Sequence, residues 1–433
     1  MLYHAFELNH AVVAPLRQFM DINKRLYDSP FNPLSYTLTG KNISAACDLF
    51  ETITRRYDKP EWGLTETIIN GHPVPVEKRV VWEKPFARLL HFARDNQELA
   101  KARSNVDPRV LIVAPLSGHY STLLRGTVEA FLPEHEVYVT DWSDARQIPL
   151  SAGKFDLNDY IDYFIEMLEF VGPNAHVVSI CQPGPPVLAA ISVLSEAESE
   201  FLPSTMTYMG SPIDTRLSPT VPNNIARERS FSWFKENMIY SVPWPNKGLM
   251  RQVYPGFLQL GGFITMNHDR HVMAHKEYFD HLVDGDCDSA NRHTEFYDEY
   301  LSVQDLTAEF YLQTIQDIFQ EHKIPNGTFE HRGKIVKPEK ITKVALMTVE
   351  GENDDISGIG QTQAAHDLCV NIPESMQVDY IQPGVGHYGV FSGKRFRTEI
   401  QPRIKEFMRQ YFDRKVETKF QKDNQALVSV VER

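Results

Sequence analysis

A cysteine stands where an apolar run of the sequence breaks into a proline-rich turn. The stretch VVSICQPGPPV, residues 177 to 187, begins with the pattern of a buried β-strand, places Cys181 at its end and continues into a helix-like segment. A thiol at the N-terminus of a helix lies near the positive end of the helix dipole, which favours the thiolate. The position therefore indicates a nucleophile. The same window also fits a small buried side chain, because free cysteine is among the most buried residue types.

Two later loops carry the groups that a thiol nucleophile needs. Asp354 and Asp355 follow a predicted strand over 343–349, and His387 lies in a glycine-rich loop after a predicted strand over 377–381. His387 would take the thiol proton or pair with the thiolate, and would later activate water. Asp354 would hold the imidazole in the correct tautomer. Asp354 is preferred because it comes earlier in its turn, and Asp355 is the alternative.

Alternating strands and helices must position these loops. Strands are predicted over 109–114, 136–140, 176–180 and 205–209, with helices from 123, over 157–168 and over 187–194. This alternation favours a mostly parallel sheet covered on both faces. A nucleophile, an acid and a base in that chain order, each after its own strand, are typical of the α/β-hydrolase fold. The sequence therefore predicts an α/β protein of the α/β-hydrolase class.

The turn around Cys181 departs from the G-x-S-x-G pattern of that fold. Residues 179–183 read SICQP, with serine and proline where the glycines would stand and with sulfur as the nucleophile. The backbone N–H of Gln182 would donate to a developing oxyanion. Leu116 and Ser117, in the loop LSGHYS after the first clear strand, would supply the second donor. His119 in this loop fits a packing residue equally well.

The alternation pauses between residues 213 and 335, in a stretch rich in aromatic residues that reads as an insertion. Most of these aromatic side chains are expected to form the core of the insertion, and a few to be exposed for docking or as part of a lid. The predicted organisation is an N-terminal segment packing on the core over 1–105, hydrolase core over 106–212, a cap or lid over 213–335, hydrolase core over 336–415 and a C-terminal tail over 416–433.

Composition limits the partners and the compartment. The 433 residues carry a formal net charge of -13, which argues against a nucleic-acid backbone as partner. The four cysteines form no C-x-x-C pair, so a disulfide framework or a zinc site is not expected and a reducing compartment is. The sequence contains no apolar window of membrane-spanning length, and its start does not resemble a signal peptide. The expected location is the cytoplasm.

Three segments together resemble the intracellular polyhydroxyalkanoate depolymerases, bacterial enzymes that degrade stored poly(3-hydroxybutyrate). They are SICQPGPP, VEGENDDISG and QPGVGHYGVFSGKRF. The resemblance extends over most of the chain and implies Cys181 as the nucleophile, with Asp354 and His387 as acid and base. It also implies a cytoplasmic enzyme on polyhydroxyalkanoate granules that needs no metal or other cofactor and releases 3-hydroxybutyrate monomers and oligomers. Water and coenzyme A both remain open as acyl acceptors, and a homo-oligomer remains open too.

Other functions compete with this interpretation. A polyhydroxyalkanoate synthase would also be a cysteine enzyme of this fold, but synthases resemble G-x-C-x-G, and this chain has Ser179 and Pro183 at those positions. A non-catalytic granule-binding protein would tolerate the loss of any of the three residues, and all three are present. A hydrolase of small esters or thioesters differs only in the shape of its pocket.

Overall fold

The computed structural model describes residues 2–103 and 106–418. A nine-stranded sheet runs through this part of the chain in the order β1-β2-β3-β5-β4-β6-β7-β13-β14. Its strands are β1 (Glu66–Ile69), β2 (His72–Lys84), β3 (Ala87–Arg94), β4 (Arg109–Val113), β5 (Glu136–Trp142), β6 (His176–Ile180), β7 (Thr205–Met209), β13 (Ala345–Gly351) and β14 (Gln377–Gln382). The short strands are β8 (Tyr240–Ser241), β9 (Gln252–Tyr254), β10 (Leu306–Thr307), β11 (Glu330–His331) and β12 (Lys334–Ile335).

Helices cover the sheet and build the regions beside it. In chain order they are α1 (Leu2–Asp28), α2 (Leu38–Thr54), α3 (Asn96–Ala102), α4 (Arg125–Phe131), α5 (Leu157–Val171), α6 (Gly184–Glu196), α7 (Val221–Glu228), α8 (Phe231–Met238), α9 (Gly256–Met266), α10 (His268–Asp284), α11 (Cys287–Tyr300), α12 (Ala308–Thr314), α13 (Ala364–Leu368), α14 (Gly393–Arg395) and α15 (Gln401–Gln410). Gly172 ends α5 with a positive φ of 89°, as its position after the last apolar residue predicts.

The strands from β5 to β14 in the sheet order are parallel, whereas β3 runs antiparallel to both β2 and β5. Every residue of β4, β6 and β7 is buried. This is why these strands read as continuous apolar runs without alternation. The carboxyl ends of β6, β7, β13 and β14 therefore lie side by side at one edge of the sheet.

Two hydrophobic cores lie on the two faces of the sheet. Successive side chains of β4 point into different cores: Leu111 belongs to the core under α5 and α6, and Ile112 to the core under α4 and α15. The period of two follows from strand geometry. The mostly parallel, doubly covered sheet predicted from the sequence is confirmed.

Residues 213–335 lie between β7 and β13 and form helices α7 to α12 with a three-stranded sheet of β8, β9 and β10. The aromatic side chains of this region differ widely in burial. Phe310 and Phe329 are buried in the main core, Phe234 is buried elsewhere, and Trp244 is 78% exposed. The region is thus anchored in the hydrolase core and does not rest only on a core of its own.

The first hundred residues contain structure that periodicity left unassigned. Helices α1 and α2 form a helical hairpin, and β1, β2 and β3 extend the central sheet at one edge. The predicted division at residue 105 therefore does not separate the sheet from the segment before it. β2 reads HPVPVEKRVVWEK, and its charged residues and prolines concealed the strand pattern.

The predicted strand over 343–349 begins two residues later, at Ala345, and continues to Gly351. The predicted C-terminal tail over 416–433 falls mostly outside the described residues, which end at 418. Across the described ranges, none of the helices combines the length and the apolar character that crossing a bilayer requires.

Candidate active site

Cys181 lies in a sharp turn between β6 and α6. Its φ is +65°, in the left-handed region that a side chain with a Cβ seldom adopts, and its N–H donates to the Met209 carbonyl at 2.8 Å. Strained backbone of this kind persists only where the surrounding structure holds it, and it concentrates at functional sites. The thiol is partly exposed, whereas Cys47 and Cys369 are buried. A thiol held in this way is presented beyond the end of the sheet.

Gly184 allows the start of α6 to pack closely against the loop after β7. A Cβ at this position would lie 2.4 Å from the Ser211 Cβ in the loop after β7, which is closer than two carbon atoms can stand. Ser179 is fully buried, and Pro183 directly precedes the first helical residue, where its missing N–H does no harm. The departures from G-x-S-x-G at residues 179 and 183 are therefore compatible with the turn. Gly184 was not predicted from the sequence, although a small residue at the start of a helix was the available signal.

His387 links the thiol to a carboxylate. It begins a 3₁₀ turn after β14 and is buried, and its Nδ1 lies 2.8 Å from Asp354 Oδ2. The Cys181 thiol lies close enough to the same imidazole to raise its pKa. The structure thus brings together Cys181, His387 and Asp354, which the sequence placed in three separate loops.

Asp354 is fixed by its own loop. Its Oδ1 accepts the backbone N–H groups of Ile356 at 2.9 Å and Ser357 at 2.8 Å, which leaves Oδ2 for the imidazole. The neighbouring Asp355 is exposed, and its Oδ2 accepts a long hydrogen bond of 3.5 Å from Asn267. The geometry therefore pairs Asp354, and not Asp355, with His387.

Opposing effects act on the pKa of His387. Burial disfavours the imidazolium, but the charges of Asp354 and Cys181, together with the hydrogen bond that the ring N–H donates to Asp354, favour it more strongly. The net result raises the pKa of His387 well above its ordinary value near 6.5. An imidazolium held in this way stabilises a thiolate beside it.

Two further residues, neither of them predicted from the sequence, hold the groups of the site in place. Gly210, at the end of β7, has a φ of +56°, and a Cβ there would lie 3.1 Å from His387 Cε1 and 3.3 Å from Asp354 Oδ2. Glu350 is fully buried near the end of β13. Its carboxylate accepts the N–H groups of residues 360, 362 and 363 at 2.7–3.1 Å, which closes the loop that carries Asp354.

The loop after β4 reaches the residue that follows the thiol. The Leu116 N–H donates to Gln182 Oε1 at 3.2 Å, so this predicted oxyanion donor already has a partner within the protein. Ser117 is the next residue of the loop and is partly exposed. His119 is buried, with Nε2 3.0 Å from the Tyr300 carbonyl, and burial lowers its pKa to about 4. His119 is therefore a neutral residue packed between the loop and α11.

Residues of the cap surround this loop. Gln259 of α9 lies so close to Gly118 that a Cβ on the glycine would stand 2.6 Å from the Gln259 Cδ. The Phe263 ring lies 5.5 Å from His119, and the Tyr388 ring 6.0 Å from Tyr300. Aromatic cap residues thus border the site. Within residues 2–103 and 106–418, no group of three or more His, Cys, Asp or Glu side chains is arranged to hold a metal ion.

The fold is that of an α/β-hydrolase, which confirms the predicted fold class. It is defined by the sheet order, by the strand–turn–helix around Cys181, and by the positions of Asp354 and His387 after β13 and β14. Residues 210–412 match the protein family described as "PHB de-polymerase C-terminus". The match confirms the resemblance to a PHB depolymerase family and includes Asp354 and His387, whereas Cys181 lies before it. Fold and family together support an ester hydrolase.

The chain is also similar to solved structures at low sequence identity. A putative lipase from Acinetobacter baumannii is 11% identical, with 77% of this chain and 93% of that chain covered and a TM-score of 0.40. A thermophilic esterase from Thermogutta terrifontis is 12% identical, with 78% and 99% covered and a TM-score of 0.40. A monoacylglycerol lipase from Paleococcus ferrophilus is 13% identical, with 71% and 97% covered and a TM-score of 0.40. No curated protein matches the chain.

Proposed function

We propose that the protein is an intracellular poly(3-hydroxybutyrate) depolymerase that cleaves the ester bonds of stored granules through an acyl-cysteine intermediate. The observation that carries the proposal is the strained turn that presents Cys181 at the end of β6, near an imidazole that Asp354 holds at 2.8 Å. The family match over residues 210–412 supports a polymer of 3-hydroxybutyrate as the substrate. The cytoplasmic granule as the place of action rests on the same resemblance.

In the acylation step, the Cys181 thiolate attacks the ester carbonyl and forms a C–S bond. The carbonyl oxygen becomes an oxyanion near the Gln182 N–H and a second donor from the loop of Leu116 and Ser117. The tetrahedral intermediate then breaks its C–O bond. The departing alkoxide takes the proton of His387, and the acyl group remains on sulfur as a thioester.

In the deacylation step, His387 acts as a base towards water. The thiolate charge that raised its pKa disappears when the sulfur is acylated, so the pKa of His387 falls towards a value suited to accepting a proton. Water loses a proton to His387 and adds its oxygen to the thioester carbonyl. Collapse of this second intermediate breaks the C–S bond, releases the hydroxyacid and restores the thiolate–imidazolium pair.

Release of 3-hydroxybutyrate from amorphous granules tests the proposal. The unmodified protein should release it, and Cys181→Ala should lose activity by roughly 10⁴-fold while keeping its circular-dichroism spectrum. Cys369→Ala, which removes a buried thiol, serves as the matched control. Release that survives in Cys181→Ala would contradict the assigned nucleophile.

The same assay distinguishes the acyl acceptor. It is run with and without coenzyme A, and the products are separated as free hydroxyacid and hydroxyacyl-coenzyme A. Free acid in both reactions supports water as the acceptor. If the protein instead lengthens the polymer from hydroxyacyl-coenzyme A and releases no hydroxyacid, it is a synthase and not a hydrolase.

A further inference from the structure

Helix α1 carries a continuous apolar stripe that faces away from the rest of the protein. Its residues follow one another at intervals of three or four, which keeps them on one helix face, and their exposed fractions lie between 45% and 67%. They are Leu8, Val12, Leu16, Phe19, Ile22 and Leu26. We call these six residues the α1 stripe. Large side chains exposed in one contiguous row mark an interaction surface.

Three charged residues of α1 lie on the opposite side, towards α2 and the segment that follows it, whereas the exposed Arg25 pairs with Asp21 of α1 itself. Glu7 pairs with Arg56 at 2.5 Å, and Lys24 pairs with Asp48 of α2 at 2.6 Å. Arg17 donates to the backbone at the end of α2. The usual arrangement of a surface helix, with apolar residues inward and charges outward, is thus reversed. The reversal leaves the α1 stripe without charged residues.

The inner face of α1 connects the α1 stripe to the candidate active site. Phe6 stacks on Phe257 of α9 with ring centroids 4.1 Å apart, and the Tyr3 hydroxyl donates to Asp305 at 2.5 Å. Two residues further along α9, Gln259 lies against the loop after β4. The N-terminal end of α1 is therefore packed against the helix that borders the loop after β4.

We propose that the α1 stripe docks onto the surface of the polyester granule; the identity of the polymer rests on the proposed function. An amorphous polyester presents an apolar surface without formal charge, which matches the uncharged stripe. A helix that lies on lipid headgroups carries Lys and Arg along its polar side. Of the basic residues Arg17, Lys24 and Arg25 in α1, only Arg25 is exposed, and the net charge of -13 opposes an anionic membrane.

A second copy of the chain fits the α1 stripe less well. A helix of this length extends about 40 Å, and one face about 10 Å wide presents roughly 400 Å². A stable interface buries about 800 Å² per partner. A polymer surface needs no matching patch on a second protein, so the α1 stripe can bury its whole apolar area against it.

The experiment compares binding with chemistry in one pair of variants. Val12→Glu/Phe19→Glu places two charges in the α1 stripe, and Phe170→Glu/Val370→Glu makes the same changes at two other exposed positions. The control positions lie near the starts of β6 and β14, at the end of the sheet opposite the site. Binding is measured by co-sedimentation with protein-free amorphous poly(3-hydroxybutyrate) granules in a Cys181→Ala background, so that hydrolysis does not erode the surface. Hydrolysis of soluble p-nitrophenyl butyrate is measured with Cys181 intact.

The stripe variant should bind granules at least tenfold more weakly, while its soluble-ester hydrolysis stays within about twofold of the unmodified protein. The control variant should bind normally. Unchanged granule binding in the stripe variant would overturn the proposal. So would a loss confined to phosphatidylcholine vesicles, or dissociation of a dimer in sedimentation velocity with unchanged granule binding. Granule binding that depends on the stripe, in a protein that never hydrolyses the polymer, would support the docking surface and reject the proposed function.

Discussion

The loops at the carboxyl edge of the sheet and the hairpin of α1 and α2 use their side chains in opposite ways. Around Asp354 and His387 the polar atoms are buried and paired with defined partners. Along the α1 stripe the large apolar side chains are exposed to solvent. The first arrangement fixes atoms within hydrogen-bonding distance, as acyl transfer requires. The second gives no fixed geometry but suits contact with an extended apolar surface.

The largest expected difference concerns the two adjacent aspartates. Asp354→Asn should reduce activity by roughly 10²–10⁴-fold because the amide cannot stabilise the imidazolium. Asp355→Asn should leave activity within about twofold, since this exposed carboxylate does not contact His387. The measurement is the turnover of a soluble ester by both variants. Equal losses of activity would contradict the assignment of Asp354, and not Asp355, as the partner of His387.

The pH profile of the same variants sharpens this prediction. The raised pKa of His387 keeps the imidazole protonated to higher pH, and Asp354 is the first charge that raises it. Removing that charge lowers the pKa, so the imidazolium loses its proton at lower pH. The alkaline limit of kcat/KM should therefore move to lower pH in Asp354→Asn and stay in place in Asp355→Asn.

A second test distinguishes the cost of a left-handed backbone from the effect of displacing His387. Gly210→Ala adds a Cβ 3.1 Å from His387, whereas Gly63→Ala adds one with nothing within 4 Å, at a similar φ of +61° against +56°. Both variants should lose about 1–2 kcal/mol of unfolding free energy because both residues have left-handed backbone. Activity should fall about tenfold to a hundredfold in Gly210→Ala only. Equal activity in the two variants would show that the contact with His387 is unimportant.

The buried carboxylate of Glu350 provides a test through stability. Glu350→Gln should lower the unfolding free energy by about 1–3 kcal/mol, because the amide replaces one acceptor oxygen with a donor that faces backbone N–H groups. The control is Glu352→Gln, whose exposed carboxylate accepts a single N–H from Gly384 and should cost less than about 1 kcal/mol. Denaturant titration measures both changes, and similar losses would contradict the role of Glu350 in closing its loop.

The smallest effect is expected in the α1 stripe. Val12→Ser should change the unfolding free energy by less than about 0.5 kcal/mol, since the side chain is already exposed. Val178→Ser, in the fully buried β6, should cost about 2–4 kcal/mol through a cavity and a buried hydroxyl. Thermal unfolding of the two variants checks the comparison. A large loss in Val12→Ser would mean that α1 packs more closely than its exposed surface indicates.

Prediction from the sequence succeeded best where local pattern determines structure. The strands β6 and β7 were predicted with the boundaries that the structure has, because buried parallel strands are short apolar runs between clear breaks. β2 was missed because one of its faces is exposed and charged. Gly184 and Gly210 were missed because the reason for each glycine is an atom of another loop.

The sequence by itself determined the α/β alternation and the chain order of Cys181, Asp354 and His387, since both follow from local periodicity and from the position of each residue after its strand. Only the tertiary structure decided which aspartate meets the histidine, because Asp354 and Asp355 are adjacent in sequence and differ only in the direction of their side chains. It also decided that the apolar face of α1 points outward. A helical period gives the faces of a helix but does not say which of them the rest of the molecule will cover.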